Sequence, residues 1–192
     1  RLGVLELPTL PGTANHPSLS GGEPITEFLA LEQGERVLAQ TTLDEQSNGL
    51  ALGTRQGVVK RVNPDHPSKD AWEVINLKDG DEVVGAVELA TGSEELCFIT
   101  SDAQLLHFSA DSVRPQGRSG GGIAGVRLST GASVTSFTAF APTDAVVVTV
   151  SGASSALAGT DSGAVKVTPF SEYPAKGRAT GGVRCHRFLK GE

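Results

Sequence analysis

Apolar residues along this chain fall in short runs rich in Val, Leu, Ile, Thr and Phe, bounded by Gly, Pro, Asp and Ser, and helical periodicity is nearly absent. The clearest runs, Gly57 to Val62, Glu82 to Val87 and Ala145 to Val150, predict β-strands, because branched and aromatic side chains suit a pleated, half-buried surface. Twenty-four glycines and 10 prolines supply the turns between them. The pattern is that of an all-β protein.

The runs also repeat. A large apolar residue followed three positions later by glycine occurs at Leu31/Gly34, Leu77/Gly80, Leu128/Gly131 and Phe188/Gly191, at steps of 46, 51 and 60 residues. After each of the first three anchors a first strand is expected, at Arg36 to Thr42, Glu82 to Leu89 and Ser133 to Phe140. A second strand follows at Gly49 to Leu52, Glu95 to Thr100 and Ala145 to Val150, and a third after the turns that open at Thr54, Ser101 and Thr160. Proline-containing connectors, at Pro67, Pro115 and Pro174, close the units.

One small sheet cannot bury both its faces until neighbours stack on it, so such a repeat predicts a propeller-like ring rather than isolated sheets. The reading is one domain over 1–192, with units at about 18–67, 68–115 and 116–174. The head, 1–11, resembles the last strand of a unit and the tail, 177–192, resembles a beginning, so the two are expected to pair as a composite fourth blade. The alternative to a ring is a β-sandwich with coincidental spacing.

Charge changes the picture by its distribution. The net charge of -6 disfavours a polyanionic partner, yet residues 1–102 carry a balance of -10 and residues 103–192 one of +4. A surface for a polyanion must therefore lie largely in the second half. Cys97 and Cys185 stand alone, without a second Cys or His at metal-ligand spacing, and read as thiols of a reducing cytoplasm. The longest apolar run is too short to cross a bilayer and the N-terminus lacks the pattern of a signal peptide, so an intracellular protein without membrane contact is expected. The chain has no methionine and opens in the middle of a strand-like run, as a domain of a longer polypeptide would.

The strongest local signal lies in two connectors, Arg114-Pro115-Gln116-Gly117-Arg118-Ser119-Gly120-Gly121-Gly122 and Pro174-Ala175-Lys176-Gly177-Arg178-Ala179-Thr180-Gly181-Gly182. Each sets Gly-Arg three residues before a glycine pair. Glycines let backbone N–H groups approach a phosphate, and neighbouring Arg and Lys add charge-assisted contacts. Basic segments follow, with Arg127 after the first connector and Arg184 and Arg187 after the second.

With Gly57-Val58-Val59-Lys60-Arg61 and Asp79 to Val87, these connectors resemble the C-terminal repeats of the A subunits of type IIA topoisomerases, DNA gyrase and topoisomerase IV. The resemblance spans Arg1 to Glu192. It implies a β-pinwheel, a propeller-like ring of about four blades that exchange strands, whose basic rim binds and bends double-stranded DNA without reading its sequence. Lys60, Arg61, Arg114, Arg118, Lys176 and Arg178 fall where the family places basic rim residues, and the charge pattern adds Arg127, Arg184 and Arg187. Further implied partners are the ATPase B subunit, together with the catalytic core of the same A subunit, in the bacterial cytoplasm at the nucleoid.

No Gln-Arg-Arg-Gly-Gly-Lys-Gly run, the box of the gyrase branch, occurs here. The connector His16 to Gly22 also lacks an arginine and Ser68 to Trp72 lacks the glycine pair, which favours the topoisomerase IV branch. Catalytic residues, metals and cofactors are not expected. The only tyrosine, Tyr173, sits in a connector and reads as a packing or rim residue, Asp79, Asp81 and Glu82 read as a solvated turn, and His107, at the position of Lys60, as a weak DNA contact or a half-exposed strand residue. The competing function is a protein-interaction propeller without DNA binding, although WD-repeat and kelch signatures are missing.

Overall fold

A computed structural model of the chain describes residues 1–7, 22–153, 155, 157, 160 and 163–188. The described residues divide into two compact units, one of Arg1–Val37 with Pro67–Trp72 and one of Leu38–His66 with Glu73–Glu192. In the first, the described secondary structure is two 3-10 turns, Val4–Glu6 and Ile25–Glu27, and the terminal ammonium of Arg1 donates to the Asp70 carbonyl at 2.7 Å. The head expected as a strand is thus a single turn closed by Glu6 N–H on the Gly3 carbonyl. Apolar alternation over so few residues makes no strand without an edge to pair with.

The second unit is built from hairpins. β1 (Leu50–Thr54) turns into β2 (Val58–Val62), β4 (Glu95–Thr100) into β5 (Gln104–Ser109), and β9 (Val146–Ser151) is joined to β10 (Ala164–Pro169). The first two turns are closed alike. Gly57 N–H donates to the Thr54 carbonyl and Ala103 N–H to the Thr100 carbonyl, with the turn residue at φ +86° and +57° respectively. The threonine hydroxyls then accept the N–H of Val58 and Gln104.

The first two hairpins borrow strands from later in the chain. β3 (Val83–Glu88) pairs with β1, while β6 (Pro115–Gln116) and β7 (Ile123–Ala124) pair with β2. In the next sheet β8 (Val134–Phe140) pairs with β4, and β11 (Val183–Arg184) with β5. Both borrowed first strands shift register at the same place, Gly53/Thr54 and Ile99/Thr100. The expected strand exchange is therefore visible strand by strand. The β9–β10 hairpin has no third strand among the described residues.

Two expectations change. Arg36 to Thr42 is not a strand, and Thr42 instead donates its N–H and hydroxyl to the Glu88 carboxylate. A first strand pairs with the hairpin of the preceding unit, and no such hairpin precedes it among the described residues. The tail's Val183 and Arg184 add to β5, opposite Leu105 and Gln104, which is a different partner from the one the composite blade required. Residues 8–11 and 189–192 of that blade lie outside the described residues.

The β4–β5 sheet is buried on both faces, as stacking demands. Leu96, Phe98, Leu106 and Phe108 face a core shared with Ala51 and Val59 of the first sheet and Val134 and Phe137 of β8. Cys97 and Leu105 face a second core with Val147, Phe170, Tyr173 and Cys185. Phe137 lies over the paired glycines Gly53 and Gly85, where a Cβ on either would meet the phenylalanine itself. On the β9–β10 hairpin Val146, Val148, Val150, Val165 and Val167 are all exposed.

Candidate nucleic-acid interface

Lys60 is a correction. Its side chain is fully buried, and Nζ donates to the carbonyls of Val74 at 2.8 Å, Arg118 at 2.9 Å and Gly120 at 2.6 Å. An ammonium has three protons, so none is left for a phosphate. Burial pulls its pKa below the usual lysine value. Arg61 is likewise turned inward, half-buried with Nη1 on the Ala110 carbonyl at 3.0 Å and Nη2 near the Asn48 carbonyl at 3.5 Å.

His107 is also corrected. It is buried, with Nδ1 at 2.8 Å from a Glu95 carboxylate oxygen and Nε2 at 3.0 Å from the Tyr173 carbonyl. Val59 and Leu105 face the equivalent residues Ile123 and Val183, which puts His107 in register with Arg61 rather than Lys60. Both side chains reach a 3-10 segment that ends the following hairpin, Ala110–Ser112 for Arg61 and Phe170–Glu172 for His107. Tyr173 caps the second of these and is buried against Phe170, so it is a packing residue. Asp81 is a turn residue, its carboxylate accepting the N–H of Gln56 and Glu82, while Glu82 pairs with Arg55 at the surface.

The two arginine connectors share a glycine conformation and little else. Gly122 and Gly182 both sit at φ +76°, packed on the backbone of Val59 and Leu105, where only glycine fits. In the first connector the N–H groups of Gly120 and Gly122 are consumed internally, by the Gly117 carbonyl and the Gln116 side chain. In the second, Ala179 N–H bonds the Gly125 carbonyl and Arg178 Nη1 the Ala124 carbonyl, both at 2.6 Å. Much of the backbone expected to cradle phosphate is thus occupied, and Arg178 is partly spent on the fold.

What remains outward is side-chain charge. Arg114, Arg127, Lys176, Arg184 and Arg187 are exposed and Arg118 is half-exposed. Lys176 Nζ donates to the Gly182 carbonyl at 2.9 Å and keeps two further protons. Among the described residues none of these cations has a carboxylate within ion-pairing distance, the ion pairs there being Arg55–Glu82 and His107–Glu95. Lys166, not anticipated, adds an exposed ammonium that bonds the Cys185 carbonyl at 3.2 Å. Its place in Val165-Lys166-Val167, matching Val59-Lys60-Arg61, was the signal available.

Both thiols are buried and free. Burial, helped by the neighbouring Cys185 and Glu95, pushes Cys97 up to about 12, and burial also raises Cys185. No group of three or more His, Cys, Asp and Glu suited to a metal occurs among the described residues, and no described helix is long and apolar enough to cross a membrane.

Comparison with known proteins places this geometry. The gyrase A protein of Escherichia coli is 34% identical over 167 residues, 84% of this chain and 18% of the relative. That of Mycolicibacterium smegmatis is 30% identical over 190 residues, 95% of this chain and 20% of the relative. The chain thus spans about a fifth of the length of these relatives. A solved C-terminal domain of DNA topoisomerase IV superposes with a TM-score of 0.73 at 26% identity, covering 88% of this chain and 51% of that one. A solved C-terminal domain of DNA gyrase A, at 20% identity and a TM-score of 0.65 over 83% of this chain and 51% of its own, shares the fold. The family model for the DNA gyrase C-terminal domain, a β-propeller, matches residues 73–88, 94–140 and 155–191, more than half of the sequence. With its all-β sheets completed by exchanged strands, the chain belongs to the family of DNA gyrase C-terminal β-propeller domains.

Proposed function

We propose that this chain is a sequence-non-specific duplex DNA-binding and bending domain of a bacterial type II topoisomerase A subunit. It presents DNA to a catalytic core elsewhere in the same polypeptide, which works with an ATPase B subunit in the cytoplasm, at the nucleoid. It supplies no catalytic residue of its own. The observation that carries the reading is the set of outward cations without ion-pair partners among the described residues, Arg114, Arg118, Arg127, Lys176, Arg184 and Arg187. A polyanion is the partner that rewards such charge, because each neutralised phosphate releases condensed counterions. Arginines on connectors and strand ends meet the backbone rather than base edges, so affinity is expected near 10⁻⁴ to 10⁻⁶ M, roughly, at physiological salt for any sequence.

The test is a chain carrying Arg114→Ala, Arg118→Ala, Arg127→Ala, Arg184→Ala and Arg187→Ala together, titrated with a linear duplex by fluorescence anisotropy. It is expected to fold and to lose most of its affinity. Undiminished binding by the folded variant would refute the assignment.

A further inference from the structure

The geometry points to Lys60 as a positioning residue for DNA binding: by holding the first arginine connector from beneath, it leaves Arg118 free to meet a phosphate, whereas the matched Arg178 is used to hold its own connector. This rests on the duplex-binding reading above.

Connector carbonyls turned toward the interior need donors, because an unpaired buried carbonyl is costly. In the first connector the donor comes from the sheet. Lys60 projects from β2 and gathers the carbonyls of Arg118 and Gly120 on one ammonium, with Val74 from the preceding connector as its third acceptor. Asn76 N–H reaches the same Gly120 carbonyl at 3.3 Å, so residues 74–76 and 118–120 are tied together at this point. The guanidinium of Arg118 makes no hydrogen bond to any described residue.

In the second connector this donor is missing. The pairing of Val59 with Ile123 and of Leu105 with Val183 makes Leu106 the counterpart of Lys60, and Leu106 is buried in the apolar core. The loop is held by its own side chains instead. Arg178 donates to Ala124, Lys176 to Gly182 and the Thr180 hydroxyl to Gly177. Two connectors that match position for position in Gly-Arg-x-x-Gly-Gly are therefore wired in opposite senses. One spends an internal lysine and frees its arginine; the other spends its arginine.

Two arms test this on the full chain with a linear duplex of mixed sequence, reading affinity against salt. Arg118→Ala and Arg178→Ala are surface changes that leave the cores intact. Arg118→Ala is expected to reduce the slope of log K against log salt by about 0.9, which cuts the ratio of affinities at 50 and 200 mM salt roughly 3.5-fold, and Arg178→Ala to leave it unchanged. Equal losses from the two would overturn the proposal without any change at Lys60. In the second arm Lys60→Met, measured where circular dichroism shows it folded, is expected to weaken binding in the parent chain and to add nothing in the Arg118→Ala background. Parental affinity in Lys60→Met, or an equal loss in both backgrounds, would also overturn it. Failure of all variants and of the parent to bind duplex DNA would instead count against the proposed function.

Discussion

Phe98→Ala probes the packing on which every outward cation depends. The ring is fully buried between the first two sheets, its centroid 4.8 Å from that of Phe137 and 6.1 Å from that of Phe108. Its edge rests on backbone, since a Cβ on Gly125 would lie 2.8 Å from Phe98 Cζ. That backbone is held by Gly125 N–H and Val126 N–H on the Gly57 carbonyl, at 2.8 and 3.0 Å, so it has little freedom to collapse into the space left behind. A buried Phe→Ala change costs about 3–5 kcal/mol, and poor collapse places this one at about 4. For a chain of this size the melting temperature should fall by roughly 8–16 °C. Urea titration should show a lower midpoint with an unchanged slope. A cycle with Phe137→Ala should reveal about 0.5–1.5 kcal/mol of coupling between the two rings. A cost below about 1 kcal/mol, or additive single changes, would refute the packing of β4 against β8 and the first sheet.

Acid should destabilise the fold through three carboxylates held below their ordinary range: Glu88 by hydrogen bonds from Thr42 and Ser47, Asp102 by the Thr100 hydroxyl, and Glu94, which burial pushes up but backbone N–H groups of Thr91 and Gly92 bring down on balance. Their folded pKa values lie below the unfolded ones, so the stability they contribute is present above the ordinary carboxylate range and lost as pH falls through the folded values. The urea midpoint should drop between about pH 5 and pH 3 and Glu88→Gln should flatten that dependence, whereas a flat parental profile would contradict these contacts. Cys97 and Cys185, buried and with raised pKa values, should resist a thiol reagent until the chain unfolds; rapid labelling of either under native conditions would contradict their burial.

The hairpins are legible in the sequence because alternation and turn chemistry coincide in them. The strand expected over Glu95 to Thr100 has the bounds observed, and Gly34, Gly80 and Gly131 mark the same turn, each at positive φ. The exchanged strands β6, β7 and β11 are not legible residue by residue, since two-residue ladders carry no periodicity and depend on an edge supplied by a hairpin far away in sequence. Lys60 escapes a sequence reading because a lysine in a basic run is ordinarily exposed, and nothing in Val58-Val59-Lys60-Arg61 announces three carbonyls converging on one ammonium. The same limit hides the difference between Arg118 and Arg178. His107 falls one position out of register because the turn glycine precedes Lys60 by three residues, while Ala103 precedes His107 by four.

The central claim is that outward arginines and lysine in the second half of the chain bind duplex DNA through its phosphates. It is tested most directly by titrating the unmodified chain with a linear duplex across a range of salt. With about five phosphates neutralised, log K should fall against log salt with a slope of roughly -4.5, the same for unrelated sequences. A slope near zero, or affinity confined to one sequence, would contradict it.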